Sequence, residues 1–232
     1  MKRKLVVLSG AGISAESGIK TFRDSGGLWE GHDVMEVASP QGWRKNPELV
    51  LDFYNQRRKQ ARECVPNGAH KSLVELEENF DVYIITQNVD NLHEKAGSSN
   101  ILHLHGELFK AQSSLNPSLV YDLSTKDIQL GDTCEKGSQL RQNVVWFGEQ
   151  VPAMDLAIEI TRKADIFLVI GTSLQVYPAA SLIDFVPNSN PIYLIDPQPV
   201  STYGRSNVVQ IQEKAVKGIE RFKSILNREH KF

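Results

Sequence analysis

The chain has 232 residues, of which 41% are hydrophobic, and its formal net charge at pH 7 is −2. This length and apolar content favour one domain with a full core and a smaller appended lobe. The near-neutral charge, with no lysine- or arginine-rich run, argues against nucleic acid or an anionic membrane as the main partner.

Cysteine usage and hydropathy are typical of a protein from a reducing compartment. Two cysteines, Cys64 and Cys134, lie far apart in the sequence and give no disulfide framework. No stretch approaches the ~18 apolar residues that a spanning helix needs, and the apolar run Leu5–Leu8 is too short for a secretory signal. We therefore expect a soluble, cytoplasmic, monomeric protein.

Four short apolar runs predict strands that are buried on both faces of a parallel sheet. Each run ends in small, polar or proline-bearing residues, and ligands are expected at such carboxyl ends. The pattern predicts an α/β fold with a Rossmann-like parallel sheet. The runs are Leu5–Leu8, Val82–Thr86, Ile166–Ile170 and Ile192–Ile195.

Two segments interrupt the strand–helix alternation and predict a small lobe beside the sheet. Residues 28–72 look helical, with Pro47 opening a helix, whereas residues 109–143 are polar and turn-rich. We predict a single domain over residues 1–232 and assign both segments to its small lobe. The Rossmann-like lobe then comprises residues 1–27, 73–108 and 144–232.

The first strand runs into a glycine-rich turn, Gly10-Ala11-Gly12-Ile13-Ser14-Ala15. Its glycines would allow a pyrophosphate to approach the backbone at a helix start, although a plain strand–helix turn gives the same pattern. No strand ending in an acidic residue follows about 20 residues later, as an ordinary dehydrogenase would require. Instead, residues 17–29 form a polar and aromatic loop suited to covering a ligand.

Two histidines near the strand-like run Ile101–Leu104 are candidate bases, because imidazole titrates near neutrality. His105 precedes Gly106, which would let another backbone come close, and His103 lies two positions earlier. A strand's period of two places both on one face, so the alternation leaves the choice open.

An ordered set of motifs over nearly the whole chain resembles the signature of the sirtuin family. The resemblance implies a lysine deacylase that consumes NAD and releases nicotinamide and O-acyl-ADP-ribose, with NAD and an acylated protein or peptide meeting between the lobes. The motifs are Gly10–Ser14, Ser17–Ile19, Phe22-Arg23, Gly27–Trp29, Thr86–His93, His105-Gly106, Val145–Glu149 and Gly171–Leu174.

The resemblance also implies roles for individual residues. It makes His105 the catalytic base, since the family's catalytic histidine directly precedes glycine, with Asn88 and Asp90 as polar partners. Asp196 stands where many sirtuins carry asparagine. The implied NAD contacts are Gly10, Ala11, Gly12, Ile13, Phe22, Arg23, Trp29, Gln87, Asn88, Val89, Asp90, Gly171, Thr172, Ser173, Asp196, Gln198 and Ala215. The implied acyl-substrate contacts are Tyr54, Arg57, Val145, Phe147 and Gly148.

The 109–143 segment departs from the family pattern. Sirtuins usually hold a zinc ion there on two Cys-x-x-Cys pairs. In this chain the place of the first pair contains no cysteine between Gln112 and Asn116, and the second region keeps Cys134 alone. Four soft ligands cannot be assembled locally, so we expect neither zinc nor another metal.

Tyr54 and Arg57 are three positions apart on a predicted helix and share one face. This spacing, like the stretch Ser14–Ile19, resembles the sirtuin branch that removes succinyl and malonyl groups, in which a guanidinium binds the distal carboxylate. A solvated basic face is the alternative, since Arg58 and Lys59 follow at once. The resemblance predicts a desuccinylase and demalonylase with some deacetylase activity. A plain deacetylase, a mono-ADP-ribosyltransferase and a silent NAD-binding module are the other hypotheses.

Overall fold

The computed structural model describes residues 2–20, 28–29, 31–202 and 204–230, so the predicted NAD contacts Phe22 and Arg23 lie outside the described residues. The main sheet contains six strands, which are β1 (Arg3–Ser9), β4 (Phe80–Thr86), β5 (Ile101–His103), β9 (Ile166–Ile170), β10 (Ile192–Ile195) and β11 (Val208–Ile211). Smaller sheets contain β2 (Leu28–Trp29), β3 (His32–Asp33), β6 (Gly106–Ser113), β7 (Val120–Asp122) and β8 (Leu140–Val144).

The six strands of the main sheet are parallel, in the order β11-β10-β9-β1-β4-β5. The strand order reverses at β1, and Ser9 at the end of β1 is paired with both Thr86 and Ile170. A ligand crevice is expected outside the carboxyl ends of the strands at such a reversal. The predicted Rossmann-like α/β fold is confirmed. Strand β11 was missed because it is a short edge strand in which Val209 and Gln210 are exposed.

Helices cover both faces of the main sheet. They are α1 (Ala11–Ala15), α2 (Val34–Val37), α3 (Pro40–Lys45), α4 (Pro47–Glu63), α5 (Gly68–Leu76), α6 (Leu92–Ala96), α7 (Met154–Arg162), α8 (Ala215–His230) and a 3₁₀ helix over Ala179–Phe185. Leu5 of β1 packs in a core with α5 and α8, whereas Val6 packs in a second core with α7 and the 3₁₀ helix. All five residues of β9 are buried, which explains its lack of polar alternation. Among the described helices, none is long and apolar enough to cross a membrane.

The small lobe combines helices with the antiparallel sheet β7-β6-β8. Helix α4 begins at Pro47, as predicted, and the Asn46 side chain accepts a hydrogen bond of 3.1 Å from the Leu49 amide. The predicted lobe boundary at 72/73 lies inside α5. This helix packs in the main-sheet core through Leu73, so it goes with the Rossmann-like lobe as one unit. The boundary at 108/109 lies inside β6, which pairs with β8.

A hydrogen-bonded cluster occupies the region where the resemblance implies zinc. The Ser138 hydroxyl lies 2.7 Å from the Ser113 hydroxyl and 3.0 Å from the Cys134 sulfur. The Ser113 oxygen also accepts from the amides of Leu115 and Asn116. Within the described ranges, no group of three or more potential ligands is placed to hold a metal ion. These residues do not fit a tetrahedral zinc site.

We expect purified protein to contain far less than one zinc ion per chain. Structural zinc contributes much of the folding free energy where it is present, so a chelator would lower the melting temperature of a zinc-dependent lobe. Here the melting temperature should be the same with and without chelator. Elemental analysis that finds stoichiometric zinc would contradict this prediction.

Two buried histidines join β1, α5 and α6 beneath the ligand crevice. The rings of His70 and His93 lie 4.9 Å apart, and Nε2 of His93 lies 3.0 Å from the Ser9 hydroxyl. Both side chains are almost fully inaccessible. Burial lowers the pKa of His70 to about 4 and places that of His93 well below its usual value. Both imidazoles are therefore neutral in the folded protein near pH 7.

The free energy of unfolding should fall as the pH drops from about 6.5 to about 4. In the unfolded chain these histidines bind protons near their usual pKa of about 6.5. In the folded chain they bind protons only at much lower pH, because burial lowers their pKa. A shift of this size at His70 alone corresponds to about 3 kcal/mol. Urea unfolding across this range should show a shallower pH dependence for His70→Gln, and identical slopes for variant and wild type would contradict the assignment.

Candidate active site

The glycine-rich turn after β1 touches the loop after β9. The Gly10 amide donates to the Ile170 carbonyl at 3.0 Å, and the Gly12 amide donates to the Gly171 carbonyl at 2.9 Å. A Cβ atom at Gly12 would lie 2.7 Å from the Gly171 Cα, so no larger residue fits without displacing backbone. Thr172 follows directly and lies against Gly10. The two predicted loops therefore pack directly against each other at the carboxyl ends of β1 and β9.

Ser14 joins the glycine turn to the loop after β4. Its hydroxyl donates to the Asp90 carboxylate at 3.0 Å and accepts from the Asn88 amide at 3.1 Å. Asn88 also donates to the Gly10 carbonyl, and the Leu92 amide donates to Asp90. Burial raises the pKa of Asp90, while these hydrogen bonds partly offset that rise. Sequence reasoning gave Ser14 no role of its own.

His105 is held by its Nδ1 atom, which lies 3.0 Å from the Gln87 carbonyl oxygen. Because a carbonyl oxygen only accepts, the hydrogen of the neutral ring is on Nδ1 and the lone pair is on Nε2. Nε2 makes no hydrogen bond to a described residue. Burial lowers the pKa of His105, and the hydrogen bond to Gln87 partly offsets this effect. His105 is therefore a neutral imidazole with an available basic nitrogen.

His103 has a different environment from His105. Its Nδ1 lies 3.0 Å from the Asn88 carbonyl oxygen, and its Nε2 lies 2.7 Å from the Glu94 carboxylate. Both acceptors are oxygens, so both ring nitrogens carry hydrogen. Burial alone would lower the pKa of His103, but Glu94 and the Asn88 carbonyl together raise it. Without a lone pair, this imidazolium is unsuited to act as a base.

Gly106 and Gln87 complete the surroundings of His105. Gly106 has a φ of +81° and packs directly against the Asn143 carbonyl, so the close backbone approach predicted at this glycine is confirmed. The Gln87 side-chain amide nitrogen is buried and has no hydrogen-bond partner within the part of the chain that the structure describes. A buried donor of this kind suits a polar ligand group.

Tyr54 and Arg57 both lie against Trp29 on the small lobe. The Trp29 ring lies edge-on to Tyr54 at 6.2 Å, and the Arg57 guanidinium stacks over Trp29 at 4.9 Å. Tyr54 is 1% exposed, and burial raises its pKa well above the usual range. The Trp146 indole is nearby, but the Tyr54 hydroxyl has no well-formed hydrogen bond among the described residues.

The alternative of a solvated basic face is wrong for Arg57 and Arg58. Arg57 is 9% exposed and Arg58 is 0% exposed, whereas Lys59 is exposed. Arg58 donates to the Leu108 carbonyl at 2.9 Å, and its Nε lies 3.7 Å from Asp127. The Leu108 amide in turn donates to the Val89 carbonyl at 2.8 Å. Helix α4 is thereby connected to the loop after β4.

Two hydrogen bonds link the segment after β8 to its surroundings. The Val145 amide donates to the His105 carbonyl at 2.9 Å, and the Phe147 amide donates to the Ala38 carbonyl at 3.0 Å. Phe147 is 44% exposed, and Gly148 is exposed with a φ of +88°. Val145 is thus the predicted substrate residue that bonds directly to His105.

Three predicted NAD contacts lie apart from the histidines, around β10 and α8. The Asp196 carboxylate accepts from the Gln198 amide at 3.0 Å, and the Gln198 side chain is exposed. Ala215 begins α8, and Glu16 accepts from the Val216 amide at its first turn. Within the glycine loops, Ala11 is half-buried, Ile13 fully buried and Ser173 half-buried.

The fold and the glycine loops define a nucleotide-binding α/β protein with an appended lobe. The profile of the Sir2 family matches residues 10–178. A Helicobacter pylori protein named NAD-dependent protein deacylase is 59% identical over 218 residues, covering 94% of this chain and 95% of that protein. A Bacteroides thetaiotaomicron protein of the same name is 52% identical over 229 residues, covering 97% and 98%.

Among solved structures, a mutant Sir2 homologue in complex with ADP-ribose superposes with a TM-score of 0.89 at 37% identity. The match covers 100% of this chain and 94% of that one. The chain belongs to the Sir2 family, the sirtuins.

Proposed function

We propose that this sirtuin is an NAD-dependent protein-lysine deacylase that prefers acidic acyl groups such as succinyl and malonyl. NAD-dependent protein deacylation follows from its family and from relatives that match nearly its full length. The preference for acidic groups is the finer part of the proposal, and the buried pair Tyr54 and Arg57 supports it.

The glycine loops and the polar cluster suit NAD. Gly10, Gly12 and Gly171 let the turn after β1 pack backbone against backbone on the loop after β9, and a pyrophosphate would bind at these carboxyl ends of the parallel strands. The buried Gln87 amide would donate to the nicotinamide carboxamide, and Asn88 and Asp90 would face its ribose. NAD supplies the reacting ribose carbon and the leaving nicotinamide. This chain's residues orient the co-substrate and move protons.

His105 would act as the base that accepts a ribose hydroxyl proton on Nε2. The Gln87 carbonyl keeps the other ring hydrogen in place, so the tautomer with a basic Nε2 is already selected. The lowered pKa keeps the ring neutral near pH 7. The Val145 amide, which donates to the His105 carbonyl, fixes the backbone of His105 between β5 and β6.

Arg57 carries the argument for acidic acyl groups. A guanidinium is a planar donor fork that matches a carboxylate, and its charge interacts more strongly away from water. Tyr54 adds a buried hydroxyl at the same place. Tyr54 packs in one apolar cluster with Trp146 and with Val89 of the proposed nicotinamide loop, and Trp29, over which Arg57 stacks, packs against the same cluster. An acyl chain that extends from the His105 region toward α4 would bring its distal carboxylate to Arg57.

The test is a set of peptides that differ only in the acyl group on one lysine. We expect kcat/KM at fixed NAD to be higher for succinyl and malonyl than for acetyl, with measurable acetyl removal. A higher value for acetyl would indicate a plain deacetylase. Label transferred from NAD onto protein, without O-acyl-ADP-ribose, would indicate mono-ADP-ribosyltransfer. Absence of nicotinamide release would leave a silent NAD-binding module.

A further inference from the structure

The histidine two positions before the proposed base is held by hydrogen bonds at both of its ring nitrogens. The His103 side chain is 9% exposed and bonds the Asn88 carbonyl on one side and Glu94 of α6 on the other. His105 bonds the neighbouring carbonyl, that of Gln87, in the same way. Two successive peptide groups of the loop after β4 are therefore fixed by two imidazoles that lie two positions apart in the chain.

We propose that His103 is a positioning residue that acts as an imidazolium, holding the Asn88 carbonyl with one N–H while Glu94 binds the other. With both N–H groups engaged, the ring cannot rotate without breaking a hydrogen bond. The Asn88 peptide is thereby fixed while its side chain bonds Gly10 and Ser14. The proposal rests on the NAD-dependent reaction proposed above but not on which acyl group is removed.

The charged groups around His103 favour its protonated form. Glu94 faces it from α6, Glu107 faces it from β6, and Asp90 lies in the same loop as Asn88. Glu94 is 41% exposed, and its pKa stays below the usual value because the interaction with His103 outweighs its burial. The positive charge of His103 in turn favours the ionised form of Asp90 and so opposes the effect of burial there. Removal of the proton from His103 would weaken its hydrogen bond to the Asn88 carbonyl and its electrostatic stabilisation of the Asp90 carboxylate.

The sign of the pH dependence follows from the raised pKa of His103. The imidazolium persists above pH 6.5 and is lost as the pH rises through the folded-state pKa. Loss of its charge should lower kcat/KM for NAD on the alkaline side, since that ratio reports groups of the free enzyme. His105, whose pKa is lowered, would instead limit activity on the acid side.

Glu94→Gln is the test variant and Glu107→Gln is its matched control. Both remove one negative charge near His103, but Glu107 is paired with Lys110 at 2.7 Å and makes no hydrogen bond to His103. In Glu94→Gln the alkaline limb of the pH profile of kcat/KM for NAD should move down by about one pH unit. At a fixed pH on that limb, kcat/KM should then be about 10-fold lower than in wild type. The peptide KM should stay unchanged, and Glu107→Gln should leave the profile near that of wild type.

Nitrogen-15 NMR of the histidine side chains provides a readout that needs no activity. His103→Gln assigns the signal, and in the wild type His103 should show two protonated ring nitrogens at pH 7 and titrate above His105. Glu94→Gln should lower its titration by about one unit. A neutral His103 at pH 7, or indistinguishable effects of Glu94→Gln and Glu107→Gln, would overturn the proposal. If the protein removed no acyl group, the proposed function would fail while the NMR result still decided the state of His103.

Discussion

Replacement of His105 by alanine should lower kcat for deacylation by roughly 10²–10⁴ while NAD still binds, because a general base contributes about that much. The remaining loops that would hold NAD, at Gly10–Gly12 and Gly171–Ser173, bond each other and not the imidazole. Steady-state rates with acetyl and succinyl peptides should fall together, since the proton transfer is common to both. Calorimetric titration with NAD would check that binding survives.

The variant His103→Gln is the control for the choice between the two histidines. It removes an imidazolium with no available lone pair, so it should raise KM for NAD and leave most of kcat. If His103→Ala lost as much kcat as His105→Ala while remaining folded, the assignment of the base would be unsupported.

Replacement of Arg57 by methionine should lower kcat/KM for succinyl peptides by roughly 10- to 150-fold, because a hydrogen bond to a charged group is worth about 1.5–3 kcal/mol. Methionine keeps much of the side-chain bulk beside Trp29 and removes the charge. Acetyl carries no distal carboxylate and should lose little. Most of the succinyl loss should appear in KM if the contact is equal in the ground and transition states.

Lys59→Met is the matched control for Arg57→Met. It removes one positive charge from the same helix at an exposed position, so it should leave the ratio of succinyl to acetyl kcat/KM unchanged. Added salt should weaken the succinyl preference only slightly, since Arg57 is 9% exposed. An unchanged ratio in Arg57→Met would remove Arg57 from the acyl site and return the enzyme to the class of general deacylases.

The main sheet could be predicted because its central strands are continuous apolar runs. The strand β9 is buried throughout, and its apolar run of five residues has the length of a strand and is shorter than a typical helix. The small sheet could not be predicted, because β8 carries Arg141 and Gln142 in buried positions and reads as a surface segment. From the sequence pattern alone, a charged residue such as Arg141 is assigned to the surface, whether or not it is buried. The partners that make the burial of Arg141 tolerable, the Val144 carbonyl and the Glu149 carboxylate, are near in sequence, but the pattern does not show that the chain folds back to bring them to the guanidinium.

The sequence indicated which motifs belong to the candidate site, but it did not indicate the hydrogen bonds that hold their side chains. The alternation near His103 and His105 could not separate them, because the difference lies in contacts with Glu94 and the Gln87 carbonyl. Ser14 was overlooked for a similar reason, since a serine in a tight turn gives no sign of bridging Asn88 and Asp90. The burial of α4's arginines likewise depends on remote residues. The sequence therefore indicated the chemistry present, while the three-dimensional contacts indicate how each group is held.

The most direct test of acidic acyl recognition compares a succinyl-lysine peptide with its succinamoyl counterpart, in which an uncharged amide replaces the distal carboxylate. The two groups have nearly the same shape, so their kcat/KM ratio at fixed NAD isolates the charge. Mass spectrometry of both products should give a ratio of roughly 10 or more in favour of succinyl. Equal values, or a preference for the amide, would contradict recognition of the carboxylate by Arg57.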